Sequence, residues 1–292
     1  MKRRELLAAL AAASWAGCSR RRPLAVGAKS STEQAILAEV VGQHLESKLR
    51  LPVERKLNLG DTLLAHQALV TGTVDLYAEY SGLALTIVLK LPHETDPSIV
   101  FERVRNEYRL RSAVEWLDPL GFSGGFAMIV RAEDARAGQL ETLGDAAGYA
   151  PRWVLGVSQE FLEQPTLFRR LMSVYGLPLA AAPKTLDPAA FYRALARNEV
   201  SMVAGSPTDA SLATGGFKWL PDDRGAFPAA QAALAVRADA FERYPGLRQA
   251  LAALTGRFTT EGLRALVRAV EVQRRPLAEA AAGFLRQAGL AR

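Results

Sequence analysis

The sequence contains very little cysteine and histidine. Of its 292 residues, one is a cysteine, Cys18, and three are histidines, His44, His66 and His93. A single cysteine excludes a disulfide within the chain. The three histidines lack the short spacing typical of metal ligands, so we interpret each as a helix-surface or loop residue. The sequence therefore indicates neither a metal site nor a cofactor.

The common catalytic and phosphate-binding motifs are also missing. We find no P-loop, no G-x-G-x-x-G, no H-E-x-x-H and no S-x-x-K. The segment GFSGG (121–125) matches the nucleophile elbow of α/β-hydrolases, which requires a helix after the serine and a catalytic histidine later in the chain. Here the strand-like FAMIVR follows, and every histidine lies upstream of Ser123. A serine hydrolase is therefore the less favoured alternative, and we predict that the protein is not an enzyme.

The chain has no concentrated basic surface that would indicate a nucleic-acid partner. Its formal net charge is +6, but Lys and Arg are interspersed with Asp and Glu, and the only dense basic run is RRR at 20–22. No DNA- or RNA-recognition motif is present. With 49% apolar and 23% charged residues the composition is that of a globular protein. At roughly 150 residues per domain, the length suits two domains.

Long hydrophobic runs are absent, but the N-terminus carries a short one. MKRRE is followed by the twelve residues LLAALAAASWAG and then by Cys18. Twelve apolar residues are too few to span a bilayer and fit the core of a secretory signal. We therefore expect a signal peptide at 1–17 and export to the periplasm or the cell surface. Because Cys18 follows WAG as in a bacterial lipobox, we expect a lipidated cysteine and a tether at 18–23; the alternative is a plain signal peptide with an incidental cysteine.

After the tether, short apolar runs alternate with segments of helical spacing. Strands are predicted within 23–29, 52–59 and 74–80, and helices within 30–49 and 60–72. Either Ser30 or Ser31 can cap the first helix, and the second helix, GDTLLAHQALVTG, is also predicted to be capped. Alternation of this kind is typical of parallel α/β layers, which bind ligands at the carboxyl ends of their strands. The pattern resumes later in the chain, where we predict the strands GFAMIVR, RWVLGVS, VSMVAGS and AALAVR and the helices PTLFRRLMSVYG and AAFYRALARN.

The stretch VDLYAEYSGLAL (74–85) contains two tyrosines with different predicted roles. Val74, Leu76 and Ala78 alternate with Asp75 and Tyr77, which predicts a strand in which Tyr77 is a packing residue of the first domain. In the same stretch Tyr80 is expected beyond the carboxyl end of that strand, where an α/β sheet presents ligand contacts.

Several segments together resemble one protein family, the extracytoplasmic substrate-binding subunits of osmoprotectant ABC importers, which capture glycine betaine, choline, carnitine or proline betaine. They run in family order over nearly the whole mature chain. They are VGAKSSTEQAILAEVVGQHLE, VERKLNLGDTLLAHQALVTGTVDLYAEYSGLAL, WLDPLGFSGGFAMIVR, AFYRALARNEVSMVAGSPTD and LPDDRGAFP, followed by ERYPGLRQALAALTGRFTTEGLRALVRAVE.

The resemblance implies the type II periplasmic-binding-protein fold, an α/β fold with two lobes joined by a two-strand hinge. It places the first lobe at 24–125 plus 225–292 and the second at 126–224. It also implies a small quaternary-ammonium or zwitterionic ligand, an ABC permease with its ATPase as partners, a membrane contact through the lipid anchor, and a monomer without nucleic acid.

Family ligands are held by aromatic rings, because a quaternary ammonium cannot donate a strong hydrogen bond and interacts instead with ring faces. By resemblance, Tyr80 and Tyr192 stand at cage positions, and Phe126 keeps a ring where the family has tyrosine. Lys29 and Ser31, at the start of the first helix, stand where donors to the ligand's acidic end are expected.

Further along, the chain departs from the family pattern. Ser206 replaces an expected tyrosine in the segment that ends at Asp209, and Gln164 replaces an expected arginine. We keep Ser206 and Asp209 as candidate ligand-binding residues. We predict that the role as a transport receptor is retained, with weak betaine binding or a different small polar solute. A sensor role is a further alternative.

Overall fold

The computed structural model describes residues 22–149 and 152–291; the expected signal peptide (1–17) and Cys18 lie outside them. The chain forms two five-stranded mixed sheets, with strand order β2-β1-β3-β10-β4 in the first and β7-β6-β8-β5-β9 in the second. The strands are β1 (Leu24–Gly27), β2 (Val53–Lys56), β3 (Leu76–Tyr80), β4 (Val114–Trp116), β5 (Ala127–Arg131), β6 (Leu155–Val157), β7 (Lys184–Thr185), β8 (Met202–Gly205), β9 (Phe217–Leu220) and β10 (Ala232–Arg237). We call the parts built on these sheets the first and the second lobe.

Helices cover the sheets and fill most connections between strands. The α-helices are α1 (Thr32–Leu49), α2 (Thr62–Val70), α3 (Pro97–Ser112), α4 (Ala132–Ala137), α5 (Leu143–Ala147), α6 (Gln159–Leu162), α7 (Pro165–Tyr175), α8 (Phe191–Ala196), α9 (Ala238–Arg243), α10 (Leu247–Ala252), α11 (Thr260–Glu271) and α12 (Leu277–Gln287). Three further segments are helical: Ser81–Leu83, which continues as the π-helix Ala84–Val88, and the 3₁₀ helices Pro188–Ala190 and Ala210–Thr214.

The predicted helix starts are visible in the cap geometry of the first lobe. Ser31 Oγ accepts a hydrogen bond from Gln34 N at 3.2 Å, so of the two possible capping serines it is Ser31 that begins α1. Asp61 Oδ1 accepts from Leu64 N at 3.0 Å and begins α2 in the same way. Since β1 is parallel to both β2 and β3, the residues that follow these strands meet at one edge of the sheet.

The chain crosses between the sheets twice, at 117–126 and at 221–231. The two crossing segments run antiparallel: Gly124 N donates to Ala230 O at 2.9 Å, and Ala232 N donates to Phe122 O at 3.0 Å. Ser123, paired with Gln231 in this bridge, is followed by β5 and not by a helix, so GFSGG does not form a nucleophile elbow. This connection matches the two-strand link expected from the resemblance.

The C-terminal helices return to the first lobe. Side chains of α10, α11 and α12 pack with α1 in one apolar cluster that contains Ile36, Leu251 and Leu285. Ala210, at the start of a 3₁₀ helix that follows β8, belongs to the same cluster. Arg264 of α11 donates through Nη2 to Pro207 O at 2.6 Å, so the lobes also touch at a place separate from the crossing segments.

A buried carboxylate fixes the beginning of the described chain. Asp75 Oδ1 lies 2.6 Å from both Arg22 Nη2 and Arg243 Nη2, and Asp75 Oδ2 accepts from Ala25 N at 2.8 Å. Tyr244 OH donates to the carbonyl oxygen of Arg22 at 2.5 Å. The segment that leads into β1 is therefore held by Asp75, which lies directly before β3, and by Tyr244 in the C-terminal region.

Several details differ from the sequence-based expectations. The expectation of a helix-surface or loop position is wrong for His44, which is fully buried with Nε2 2.9 Å from Ala250 O. Tyr80 is the last residue of β3 and not a turn residue beyond it. We did not predict α3, β4 or β9.

Within residues 22–149 and 152–291, no helix combines the length and apolar composition needed to cross a membrane. The same residues contain no group of three or more His, Cys, Asp or Glu side chains suited to a metal ion.

Candidate functional site

Lys29 lies at the carboxyl edge of the first sheet and is buried, with 8% of its surface exposed. Its Nζ donates to Glu79 Oε1 at 2.5 Å and to Thr62 Oγ1 at 3.2 Å. These partners come from β3 and from the first turn of α2, which the parallel strands bring to the same edge. Lys29 is thus engaged by the protein itself.

Glu79 is fully buried and accepts two further hydrogen bonds. Tyr77 OH donates to its Oε2 at 3.1 Å, and Tyr80 N donates to its Oε1 at 2.8 Å. Burial raises the pKa of the Glu79 carboxyl, and the adjacent Lys29 ammonium opposes this rise. Tyr77 is also fully buried, and burial together with Glu79 raises the pKa of its hydroxyl.

Tyr80, an expected cage wall, is 6% exposed. Its hydroxyl accepts from Gln34 Nε2 at 3.1 Å, and the Lys29 Nζ lies 4.6 Å from the ring centroid. Gly124 leaves space for the ring, since a Cβ at that position would lie 2.1 Å from Tyr80 Cε1. A cation–π contact is therefore already made inside the protein, with Lys29 as the cation.

A contact between the lobes involves Glu33, in the first turn of α1. Thr208 Oγ1 donates to Glu33 Oε2. Burial raises the pKa of Glu33 to about 7, while the hydrogen bond from Thr208 and the charge of Lys29 lower it and the charge of Asp209 raises it. A carboxyl group that titrates near neutral pH therefore lies where the two lobes meet.

Three expected site residues of the second lobe lie together. Tyr192 OH donates to Asp209 Oδ2 at 2.6 Å, and Ser206 N donates to the same oxygen at 3.0 Å. Burial raises the pKa of Asp209, while its bond to the Ser206 backbone lowers it. Burial also raises the pKa of Tyr192, whose ring packs edge-on against Phe217 at 4.9 Å. The hydroxyl of Tyr192 is bonded to protein and its ring packs on a neighbour.

The two remaining expected residues, Phe126 and Ser31, make other side-chain contacts. Phe126 packs edge-on against Phe161, with 5.0 Å between ring centroids, and lines a small pocket of about 30 Å³. Ser31 is exposed, and its hydroxyl is used as the cap of α1.

A much larger cavity, of about 570 Å³, lies between the lobes. We call it the interlobe cavity. On the first lobe its polar lining includes Asp61, Thr62, Lys90 and His93. On the second lobe it includes Glu160, Gln164 and Arg170. It shares Gln164 with the small pocket beside Phe126, and Thr62 joins it to Lys29. None of the residues expected from the sequence to touch a ligand lines this cavity.

One part of the interlobe cavity is acidic. Glu160 is half-buried, and burial raises the pKa of its carboxyl; Lys29 lowers it, and the charges of Glu79, Asp61 and Glu163 raise it. Among the residues that the structure describes, Glu160 forms no ion pair. Asp61 uses Oδ1 to cap α2. Carboxylates of this kind favour a cationic group beside them.

Another part of the cavity is basic. His93 Nε2 lies 3.2 Å from Gly225 O, and Arg170 donates to the same oxygen through Nη2 at 3.1 Å. Burial and the charge of Arg170 lower the pKa of His93. Lys90 is exposed on the rim. The carbonyl of Gly225, in the second crossing segment, thus orients two donors that line the cavity.

The cavity residues were missed by sequence reasoning because each comes from a different part of the chain. Asp61 was visible only as a helix cap, and Glu160 and Arg170 belong to helices of the second lobe with no recognisable motif. Gln164 was noted as a departure from the family, which was the one local signal for this region.

Comparisons with known proteins show which family and which fold this architecture belongs to. The sequence matches the family described as the substrate binding domain of an ABC-type glycine betaine transport system, over residues 22–287. A solved structure of a glycine betaine/carnitine/choline ABC transporter protein superposes with a TM-score of 0.82 at 22% identity, covering 91% of this chain and 99% of the other. The likeness shows the fold.

Two relatives are similar over most of this chain. An ergothioneine transport permease/ergothioneine binding protein of Helicobacter pylori is 30% identical over 92% of this chain, which spans 48% of that relative's length. A carnitine transport binding protein of Listeria monocytogenes is 27% identical, with 86% of this chain and 82% of the relative covered. These homologues are transport proteins and not enzymes. The chain belongs to the family of substrate-binding domains of ABC-type glycine betaine transport systems.

Proposed function

We propose that this protein is the extracytoplasmic solute-binding component of an ABC importer. It captures a small quaternary-ammonium or zwitterionic solute between a first lobe (24–125 and 225–292) and a second lobe (126–224). The observation that carries the proposal is the interlobe cavity, about 570 Å³ in volume and lined by both lobes, in a chain of this family.

The size and charge of the cavity support this reading. Small-molecule sites commonly have volumes of about 300–1,000 Å³ and a few convergent polar groups. The interlobe cavity combines carboxylates such as Glu160 with cations such as Arg170. A solute that carries both charges can be matched by such a lining, whereas a purely anionic or purely cationic one would face a like charge at one end.

Closure around the solute would use the crossing segments as a hinge. Among the described residues, two chain segments join the sheets, and the Glu33–Thr208 hydrogen bond joins the lobes. A solute that contacts both lobes favours the closed arrangement by its differential affinity. The closed form would then deliver the solute to a membrane permease powered by an ATPase.

The proposal includes an anchor at the membrane surface. A lipid on Cys18, after removal of 1–17, would hold the protein outside the cytoplasm close to its permease. This part rests on the sequence alone.

A diverged solute is the second candidate, and one observation favours it. The ring face of Tyr80, where the family resemblance puts a quaternary ammonium, is occupied by the ammonium of Lys29. A receptor that senses its solute without a permease would share the same site.

Calorimetric titration of the mature protein tests the proposal. Glycine betaine, choline, carnitine and a set of unmethylated zwitterions would be added in turn, with small-angle scattering recorded on the complexes. We expect saturable binding of at least one solute and a smaller radius of gyration in its presence. Absence of binding from the whole set would contradict the proposal. Growth on the bound solute, lost on deletion of the gene and of the permease it serves, would separate import from sensing.

A further inference from the structure

The charged groups that line the interlobe cavity are of both signs and are held in different places. Thr62, beside the lining carboxylate Asp61, is bonded to Lys29, whereas Arg170 and His93 meet at the carbonyl oxygen of Gly225. We call the part with Asp61 and Glu160 the acidic end and the part with Arg170 the basic end. The length of helix α7 indicates the size of the cavity along this helix. At 1.5 Å per residue, Arg170 lies about 9 Å further along the helix axis than the cap residue Gln164.

The acidic end is suited to a cation that donates hydrogen bonds. No Phe, Tyr or Trp is among the described residues that line the cavity. A quaternary ammonium is recognised chiefly by ring faces, whereas a primary ammonium has three N–H donors for carboxylates and hydroxyls. Asp61, Thr62 and Glu160 supply such acceptors. Charge-assisted hydrogen bonds of this kind are roughly twice as strong as neutral ones.

The nearest cage-like ring does not change this conclusion. Tyr80 is 6% exposed, and Lys29 Nζ is 4.6 Å from its centroid while being held by Glu79 at 2.5 Å. A ligand ammonium would have to displace a buried, paired lysine to reach the ring. Leaving Glu79 without its cation would make that exchange unfavourable.

We infer that the interlobe cavity takes a zwitterion whose cationic group donates hydrogen bonds, an amine or a guanidinium, with its acidic group several bonds away. Asp61 and Glu160 bind the cationic group, and Arg170 binds the acidic group. This inference rests on the proposed function and narrows the solute class for the same site.

Matched ligand pairs test the cationic end. The mature protein is titrated calorimetrically at pH 7 with 4-aminobutanoate and 4-(trimethylammonio)butanoate, and with glycine and glycine betaine. We expect 4-aminobutanoate to bind about tenfold more tightly than its trimethylated counterpart, since methylation removes every N–H donor. We also expect it to bind more tightly than glycine, whose two charges are too close together to reach both ends.

Matched variants test the two ends separately. Glu160→Gln keeps the size of the side chain and removes its charge, and it should weaken 4-aminobutanoate about tenfold. Arg170→Gln should weaken it similarly, while Arg170→Lys keeps the cation and most of the affinity. Glu242→Gln, an exposed carboxylate on α9, is the control and should leave affinity unchanged. Circular dichroism and thermal unfolding verify that each variant is folded.

The outcomes distinguish this inference from the proposed function. Tighter binding of the trimethylated ligands, or an affinity for 4-aminobutanoate that Glu160→Gln leaves unchanged, would overturn the inference and leave the binding protein intact as a proposal. No binding of either series, nor of the solutes named for the relatives, would overturn both.

Discussion

Two charged regions lie side by side in this protein and differ in how their charges are satisfied. Around Lys29 and Glu79, which we call the buried cluster, the charges are paired at 2.5 Å and enclosed by protein. In the adjoining interlobe cavity, Glu160 forms no ion pair among the described residues and faces open volume. The buried cluster contains the residues that resemble a ligand site, but the cavity contains the charges that are free to act as one.

Under the proposed function, a family position and a family role are separate in this protein. Tyr80 and Lys29 stand where the resemblance puts a cage wall and a donor, yet each is engaged by its neighbours. A buried group that is satisfied within the protein contributes to the native state, and one that is left without a partner beside a cavity is available to a solute. Variants in the two regions should therefore affect different properties.

The largest effect is expected from breaking the buried cluster on one side. Lys29→Met leaves Glu79 buried without its cation, which should lower the free energy of unfolding by about 3–5 kcal/mol. The double variant Lys29→Met/Glu79→Gln should recover most of this loss, because the amide is neutral, its oxygen can accept from Tyr80 N, and its Nε2 can donate to the hydroxyl oxygen of Tyr77. Urea unfolding followed by tryptophan fluorescence at pH 7 measures both. Equal stability of the single and double variants would show that the pair is not coupled as described.

A pH-dependent effect is expected at Glu33, on the border between the two regions. Its pKa is raised from 4.5 to about 7 in the folded protein, so its contribution to stability is complete below about pH 4.5 and is lost as the pH rises through 7. Ionisation should cost up to about 3 kcal/mol at pH 8. Glu33→Gln stays neutral and should therefore be the more stable protein at pH 8 and equal to wild type near pH 4.5.

Thermal and urea unfolding between pH 4.5 and 8.5 measure this difference. Lys29, Thr208 and Asp209 face Glu33 and are unchanged in the variant. The exposed control Glu242→Gln should stay within about 0.5 kcal/mol of wild type throughout. A constant offset between Glu33→Gln and wild type over this range would contradict the assignment.

The smallest effect on stability is expected in the interlobe cavity. Glu160→Gln removes a carboxylate whose neighbours include Glu79, Asp61 and Glu163, so the unfolding free energy should stay the same or rise by up to about 1 kcal/mol. The same unfolding experiment at pH 7 tests this. A loss above about 2 kcal/mol would place Glu160 among the structural residues, as in the buried cluster.

The sequence predicted the architecture, whereas its ligand-binding residues stay predictions. Helix caps such as Ser31 and Asp61, and the apolar runs of β1, β8 and β10, are local signals, so the elements they mark were predicted within a few residues. The helix α3 was missed, although Asp96 caps it and Pro97 begins it, because its charged residues obscured the apolar spacing.

The site depended on distant contacts that no local pattern shows. Lys29 is buried because Glu79 lies fifty residues later in the neighbouring strand, and the ring of Tyr80 is accommodated because Gly124 approaches it from a crossing segment. The cavity itself is formed by side chains from both lobes. Tyr77 could be assigned correctly as a packing residue because alternation along one strand is a local property.

The bonds between Arg22, Asp75 and Tyr244 also set a distance. If the chain is lipidated at Cys18, three residues lie between Cys18 and Arg22, and the four steps from one Cα to the next span at most about 14 Å. The first lobe would then stay close to the membrane surface and could not diffuse away from it. Such a short linker would raise the local concentration of the protein near a permease in the same membrane. It would also restrict the orientations in which the cleft can contact that permease.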